Sequence, residues 1–344
     1  MRRPILPFVL GLAAACSGDR PVEPVVIDGF LDRSTALECE RVELAGSPAV
    51  TELRGATDSS FTVLDEPGRQ VLEYDHDLNP LLRVAYPPSG PGSAEGAVSA
   101  VVLGDSAVAV AGRAGLRLVV TRRDGELIRS ASMDFIPHSL DATPDGDLLI
   151  TPMPVGDKPP TLLQRFDGDA FHSIPVPPRS YDDMMIRALG NAALVEVMPE
   201  GDAVLVHQYL APRAFRIDGQ GNVAGATLPV PDLAAPTASF VPTAPITEAQ
   251  IPRMMVPAMA MSVDPFRSEI YILTRSGRMI DGRPERAMLR LDRELGFLAA
   301  FTLNVAAGAM VFLPHRRTAL VVDEEDGFHA CVLPDAAGAP HPAA

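Results

Sequence analysis

Read for its apolar and polar positions, the chain is a succession of short apolar or alternating runs cut by Gly, Pro and Asp, with almost no helical periodicity. One unit recurs: an apolar strand, a turn with Pro, Gly or Asp, a second strand, a variable hairpin, a third strand and a polar turn. "SLDATPDGDLLITPMPVGDKPPTLLQRFDGDAFHSIPV" (139–176) shows it whole, and 193–230 and 260–303 repeat it, the last with a longer hairpin. Weaker copies occupy 49–86 and 98–133. Aligning the apolar residue before the last turn selects Tyr74, Val120, Phe166, Ile217 and Leu291, at spacings of 46, 46, 51 and 74. Four short antiparallel strands per repeat at this period predict the blades of a β-propeller.

The sixth copy, 309–334, supplies three strands and then runs into the tail. Its missing fourth strand has a donor in "ALECERVEL" (36–44), an orphan strand ahead of blade one. Joining first and last strands in one blade closes the ring and removes an open edge. In that register Cys331 lies on the third strand and Cys39 on the fourth, close enough for a disulfide. The expected fold is therefore all-β, a six-bladed propeller closed by an N-terminal strand that completes the last blade.

The motifs "MSVDPFRSEIYILTRSG" and "LDATPDGDLLIT", each followed by a strand and a "LDRELG" or "FDGDAF" turn, carry a family cadence. The chain resembles the six-bladed propellers of the NHL-repeat and YWTD-like kind, over roughly residues 36–333, and resembles bacterial lipoproteins of this architecture. Calcium-holding lactonase-type propellers of similar size imply a second function. By that resemblance, Asp141, Asn191, Glu196 and Asp264 are candidate ligands in the channel, and the chain a calcium-dependent lactonase or esterase.

The ends change the picture of where the protein acts. "MRRPILPFVLGLAAAC" has a basic start, an apolar stretch and small residues before Cys16, the pattern of a secretion signal. It resembles a bacterial lipobox, which implies cleavage before Cys16, acylation of that Cys, and, with Ser17 following, the outer membrane. The expected organisation is a signal peptide over 1–15, a tether over 16–34, the propeller over 35–334 and a Pro/Ala-rich disordered tail over 335–344. Acylation uses one of three cysteines and leaves Cys39 and Cys331 to pair in an oxidising compartment. A formal net charge of −15 argues against nucleic acid as a partner.

Motifs for chemistry are sparse. No His or Cys pair stands at metal-ligand spacing, no Gly-x-Ser-x-Gly occurs, and no cofactor is expected outside the calcium alternative. Of the seven histidines, His138 closes an inter-blade loop and is placed to reach the channel mouth. The absence of Trp and the presence of five Tyr weaken a carbohydrate site, for which Tyr86 and Tyr181 would be the platforms.

The long inter-blade loops 175–190 and 229–259 are the expected functional surface. They carry Tyr181, Met184 and Met185 on one and Arg253, Met254, Met255 and Met259 on the other. "MMIRAL" (184–189) and "MMVPAM" (254–259) match in pattern and both precede a blade's first strand. Such methionines serve rim packing, an apolar docking surface or, without nearby His, much less readily copper(I). The leading expectation is a monomeric, lipid-anchored binding or assembly module of the cell envelope. It would take an envelope protein or an apolar small ligand on this face.

Overall fold

The computed structural model describes residues 25–334 apart from 58, 105, 154–160, 238–239 and 281. The expected signal peptide, Cys16 and the expected tail lie outside the described residues. The six repeats form six sheets arranged as blades in the expected order, five of four strands and one, blade five, of five. Blade one runs Glu52–Thr57, Ser60–Asp65, Gln70–Asp75 and Pro80–Ala85, and blade two Ala97–Leu103, Ala107–Gly112, Arg117–Arg122 and Leu127–Ser132. Blades three, four and five open with the innermost strands Ile136–Ala142, Ala193–Val197 and Ala260–Asp264, and blade six with Ala307–Leu313.

Burial explains the two kinds of apolar run. Second strands sit between neighbouring blades and are covered on both faces, so "SFTVLD", "AVAVAG" and "AVLVH" are buried at every position. Fourth strands form the outer wall, and "LIRSAS" is exposed along nearly its whole length. The turn between third and fourth strands is built the same way in four blades. Asp75, Asp167, Asp218 and Asp292 each accept backbone N–H bonds from residues two to four positions ahead. This is the short-range chemistry that makes Asp a turn residue, and it sets the cadence seen in the sequence.

Blade six closes as expected. Its third strand, Phe328–Val332, pairs antiparallel with Cys39–Val42, with Cys331 directly opposite Cys39. The two cysteines form a disulfide with their Cα atoms 4.2 Å apart.

The orphan strand is divided in two. Ser34–Leu37 pairs parallel with the outer strand Phe297–Leu303 of blade five, and Cys39–Val42 then enters blade six. Cys39 N–H, at the crossing, donates to Asn304 Oδ1 at 3.0 Å. Residues 25–34, in the second half of the expected tether, are also folded onto the ring. Val25–Ile27 pairs parallel with Pro229–Pro231, and α1 (Phe30–Arg33) follows. Phe30 is fully buried in a core shared with Val204 and Val206 of blade four and Ile270 and Ile272 of blade five. Residues 25–42 thus form a strap across the outside of three blades.

Two outcomes test this account. Phe30→Ala removes a fully buried ring at a seam between blades and should cost about 3–5 kcal/mol in denaturant unfolding, whereas a tether residue would cost nothing. Cys39→Ser should destabilise the fold by up to about 5 kcal/mol, since the bond closes a long loop, and leave the Cys331 thiol titratable. A melting temperature insensitive to both reductant and this substitution would show that ring closure does not depend on the clasp.

Candidate functional site

The innermost strands supply the channel lining, and the charges on them were only partly foreseen. Glu52 and Arg54 are two residues apart on blade one's first strand, which puts both on one face. Ser139 and Asp141 have the same spacing on blade three. Closing the ring brings these side chains together with Glu196 of blade four. Arg54 Nη1 lies 2.9 Å from Glu196 Oε1 and 3.5 Å from Asp141 Oδ2, and donates to the Val195 carbonyl at 3.0 Å. Its Nη2 donates to Glu52 Oε1 and to Ser139 Oγ, each at 3.1 Å. Glu52 is held in turn by Ser99 Oγ at 2.8 Å and by the Ala100 N–H at 2.9 Å, both on blade two. Four blades therefore meet at one guanidinium that is 4% exposed.

The electrostatics follow from one cation among three carboxylates. Burial opposes the charge on Arg54, but Glu196, Glu52 and Asp141 together outweigh it and raise the guanidinium above its ordinary range. Burial pushes Glu196 up to about 8, with Arg54 pulling against it and Asp141 and Glu52 repelling its charge. Asp141 is raised as well, again mainly by burial, against Arg54 and the N–H groups of Val197 and Ala142. The cluster holds its protons because a fully ionised set would leave excess negative charge in a poorly solvated place.

This cluster divides the channel into two cavities. The upper one, about 520 Å³, opens among the inter-blade loops and is bordered by Glu52, Arg54, Arg113, His138, Gln208 and Met259. His138 reaches the mouth as expected, its Nε2 2.9 Å from Gln208 Oε1, and burial lowers its pKa, so it is neutral there. The lower cavity, about 680 Å³, opens among the turns joining first and second strands and is bordered by Asp141 and Glu196. Glu196 lines both.

The four candidate calcium ligands separate into two groups. Asp141 and Glu196 converge, but on Arg54. Asn191 is fully buried and bridges the chain, accepting from Arg179 N–H at 2.6 Å and donating to the carbonyls of Arg179 and Arg187. Asp264 serves its own turn, accepting from Phe266 N–H at 2.9 Å. Among the described residues, no group of three or more His, Cys, Asp or Glu is arranged to hold a metal ion. The physical reason is that a guanidinium already occupies the place where the carboxylates meet, and a second cation would be pressed against it.

The loop face is likewise divided. The first methionine pair opens α2 (Met184–Gly190), whose N-cap Asp183 accepts from Met185 N–H at 2.8 Å and Ile186 N–H at 3.0 Å. The cap leaves Met184 and Met185 pointing to solvent, 53% and 60% exposed. The second pair is buried: Met254 packs with Tyr181, Ile186 and Leu210, and the Met255 carbonyl accepts from Leu210 N–H at 3.0 Å. Tyr181 lies so close to Gly190 that a Cβ there would sit 2.5 Å from its ring. Met259 is half-buried at the upper cavity, and Arg253 is exposed with its guanidinium 4.2 Å from the centre of the Phe240 ring. The matching patterns thus mark one exposed helix start and one buried extended segment.

Charge at the cluster has a measurable consequence. Glu196 binds its proton more tightly folded, at about 8, than at its ordinary 4.5. Its contribution to stability is therefore full below pH 4.5 and is lost as pH rises toward 8. Glu196→Gln should flatten the decline in unfolding free energy over that window. Arg54→Met, which leaves the carboxylates without their cation, should cost about 3–5 kcal/mol and steepen it. Identical pH profiles for Glu196→Gln and the parent protein would refute this assignment of charge.

No family model matches the sequence, and no curated protein matches it. Similarity to solved structures is extensive in length and low in identity. A member of the DUF4221 family from Bacteroides vulgatus superposes with a TM-score of 0.61 at 9% identity, covering 87% of this chain and 98% of that one. A Bacteroides fragilis protein assigned as exported gives 0.57 at 10%, covering 90% and 97%. A streptogramin B lyase gives 0.50 at 9%, covering 87% of each. At such identities the likeness is one of fold alone.

Proposed function

We propose that the protein is a lipid-anchored propeller of the cell envelope that docks a partner protein on the face built by residues 175–190 and 229–259. The observation that carries this reading is the set of exposed apolar side chains on those two loops. Met184, Met185, Leu233, Val241 and Ile251 are all exposed there, while Tyr181, Ile186 and Met254 of the same loops are buried together with Leu210. The buried set is packed while the exposed tips face water, and flexible methionines suit an apolar contact that must adapt to a partner. A protein surface fits this better than a small ligand, because these side chains stand on loop tips outside the channel cavities.

An extracytoplasmic address is supported by the Cys39–Cys331 disulfide and by the similarity in fold to a protein assigned as exported. The membrane link in this reading is acylated Cys16. Among the described residues, no helix is long and apolar enough to cross a membrane. The calcium-dependent hydrolase gains no support from the channel, where Asp141 and Glu196 face Arg54.

Site-specific photo-crosslinking in intact envelopes tests the docking face. A crosslinker at position 251 should capture one discrete partner band. Met184→Asp/Met185→Asp should reduce that band at least about tenfold without loss of folding, since acidic residues in a helix's first turn are tolerated by its dipole. A band of unchanged intensity in this variant, or the capture of a small ligand in place of a protein, would overturn the reading.

A further inference from the structure

The chain leaves its last blade at a particular place. The fourth strand of blade six is supplied by Cys39–Val42, so the segment after Phe328–Val332 has no strand position to enter in its own sheet. It turns instead against the link between that blade's first two strands, formed by the short turn Pro314–Arg316 and Arg317. Leu333 is buried, its N–H donates to the Arg317 carbonyl at 2.9 Å, and Arg317 Nη2 donates to the Pro334 carbonyl at 3.0 Å. Arg316, beside it, pairs with Asp77 of blade one. Asp335 follows Pro334 directly in the sequence and brings a negative charge to a turn that holds two arginines.

The same turn carries exposed aromatic surface. His315 is exposed and stands in a row of rings, its centre 5.0 Å from that of Phe266 and 5.5 Å from that of His76. Phe266, in the turn joining the first two strands of blade five, is 49% exposed, which is high for a phenylalanine. His76 is buried, and burial pushes its pKa down to about 4, so that end of the row is neutral. The row lies at the rim of the lower cavity, because Pro265 and Pro314, the chain neighbours of Phe266 and His315, both border it.

We infer that residues 335–344, "DAAGAPHPAA", dock on the Phe266–His315 row and cap the lower cavity. Their reach is sufficient. Phe328–Val332 is a third strand, so two inter-strand spacings, about 10 Å, separate it from the first strand that lines the channel. The segment 335–344 can span up to about 33 Å when extended. Its composition suits the row: Pro340 and Pro342 flank His341, and the remaining residues after Asp335 are Ala or Gly. Proline-bearing extended segments bind aromatic-lined surfaces because their backbone conformation is largely preset. Attachment at Pro334 holds the segment near the row at an effective concentration on the order of millimolar. The inference goes beyond the docking reading and does not depend on it, since the lower cavity opens among different turns from the loops that carry the exposed methionines.

The chain has no tryptophan, so Phe266→Trp places a single indole in the row. Acrylamide should quench its fluorescence with about half the efficiency, or less, found after deletion of 335–344, because a segment lying on the ring covers one of its two faces. Pro340→Gly/Pro342→Gly should lose this protection as the deletion does. A photo-crosslinker at position 343, in a chain that keeps Phe266, should form intrachain links to residues bordering the lower cavity. Met184→Asp/Met185→Asp should leave the quenching unchanged, so a failed docking face and a failed cap give different results. Equal quenching with and without 335–344, protection that disappears on dilution because a second copy supplies it, or crosslinks that avoid the cavity rim would each overturn the inference.

Discussion

The structure depends on the pairing of Cys39–Val42 with Phe328–Val332, because a propeller is a ring and a ring with one unpaired edge is an open sheet stack. Antiparallel hydrogen bonds close the last blade, and the strap that leads to them secures more than one seam. Val25–Ile27 lies along the segment after blade four, Phe30 fills the space between blades four and five, and Ser34–Leu37 adds a fifth strand to blade five. The channel exists as a defined site only through this closure. Arg54 comes from blade one, while its partners come from blade one itself and from blades three and four, with blade two holding Glu52. Any opening of the ring separates a guanidinium from the groups that make its burial tolerable.

That cluster is an unusual way to fill a channel. Apolar side chains of similar volume would fill it at no greater cost, since removing a guanidinium and three carboxylates from water is offset by their attraction only when geometry and hydrogen bonds are good. Here the bonds to Arg54 Nη1 and Nη2 are good, yet the charges do not balance. The surplus is met partly by protons, which is why Glu196 is pushed up to about 8. A stability argument alone does not account for a surplus of buried carboxylate. The cluster instead divides the channel into two unlike compartments, with Arg54 and Arg113 bordering the upper one and Glu196 bordering both.

The blades were legible because their information is local. A strand buried on both faces reads as an apolar run, and a turn held by Asp to nearby N–H groups reads as a motif at a fixed offset. The closing strand and the disulfide were legible from a count of strands and cysteines. The strap was not, because its structure is entirely borrowed. Between Pro24 and Ser34 there is no periodicity, and Phe30 is buried by residues more than a hundred positions away. The site was half legible. Asp141 and Glu196 stood out as acids on inner strands, but the resemblance that singled them out implied calcium. The cation they serve was one arginine in "TELRG", at the loosest start of any blade.

The two methionine segments show how far a sequence match can mislead when backbone chemistry differs. "MMIRAL" follows Asp183, whose carboxylate caps two N–H groups and starts a helix with Met184 and Met185 exposed and Ile186 buried. "MMVPAM" has Pro257 within it, which removes an N–H and excludes a helix at that point. The backbone is extended at Met254, whose side chain packs with Tyr181 and Ile186, and the Met255 carbonyl accepts from Leu210 N–H. Identical side chains therefore take opposite roles, one pair supporting the face and the other presented on it. The support matters to the presentation: α2 is held by Ile186 against Met254 and by Gly190 against Tyr181, so the exposed pair stands on a packed base. A base of that kind limits the entropy lost when apolar tips are covered, and this is the physical property that suits such a face to docking.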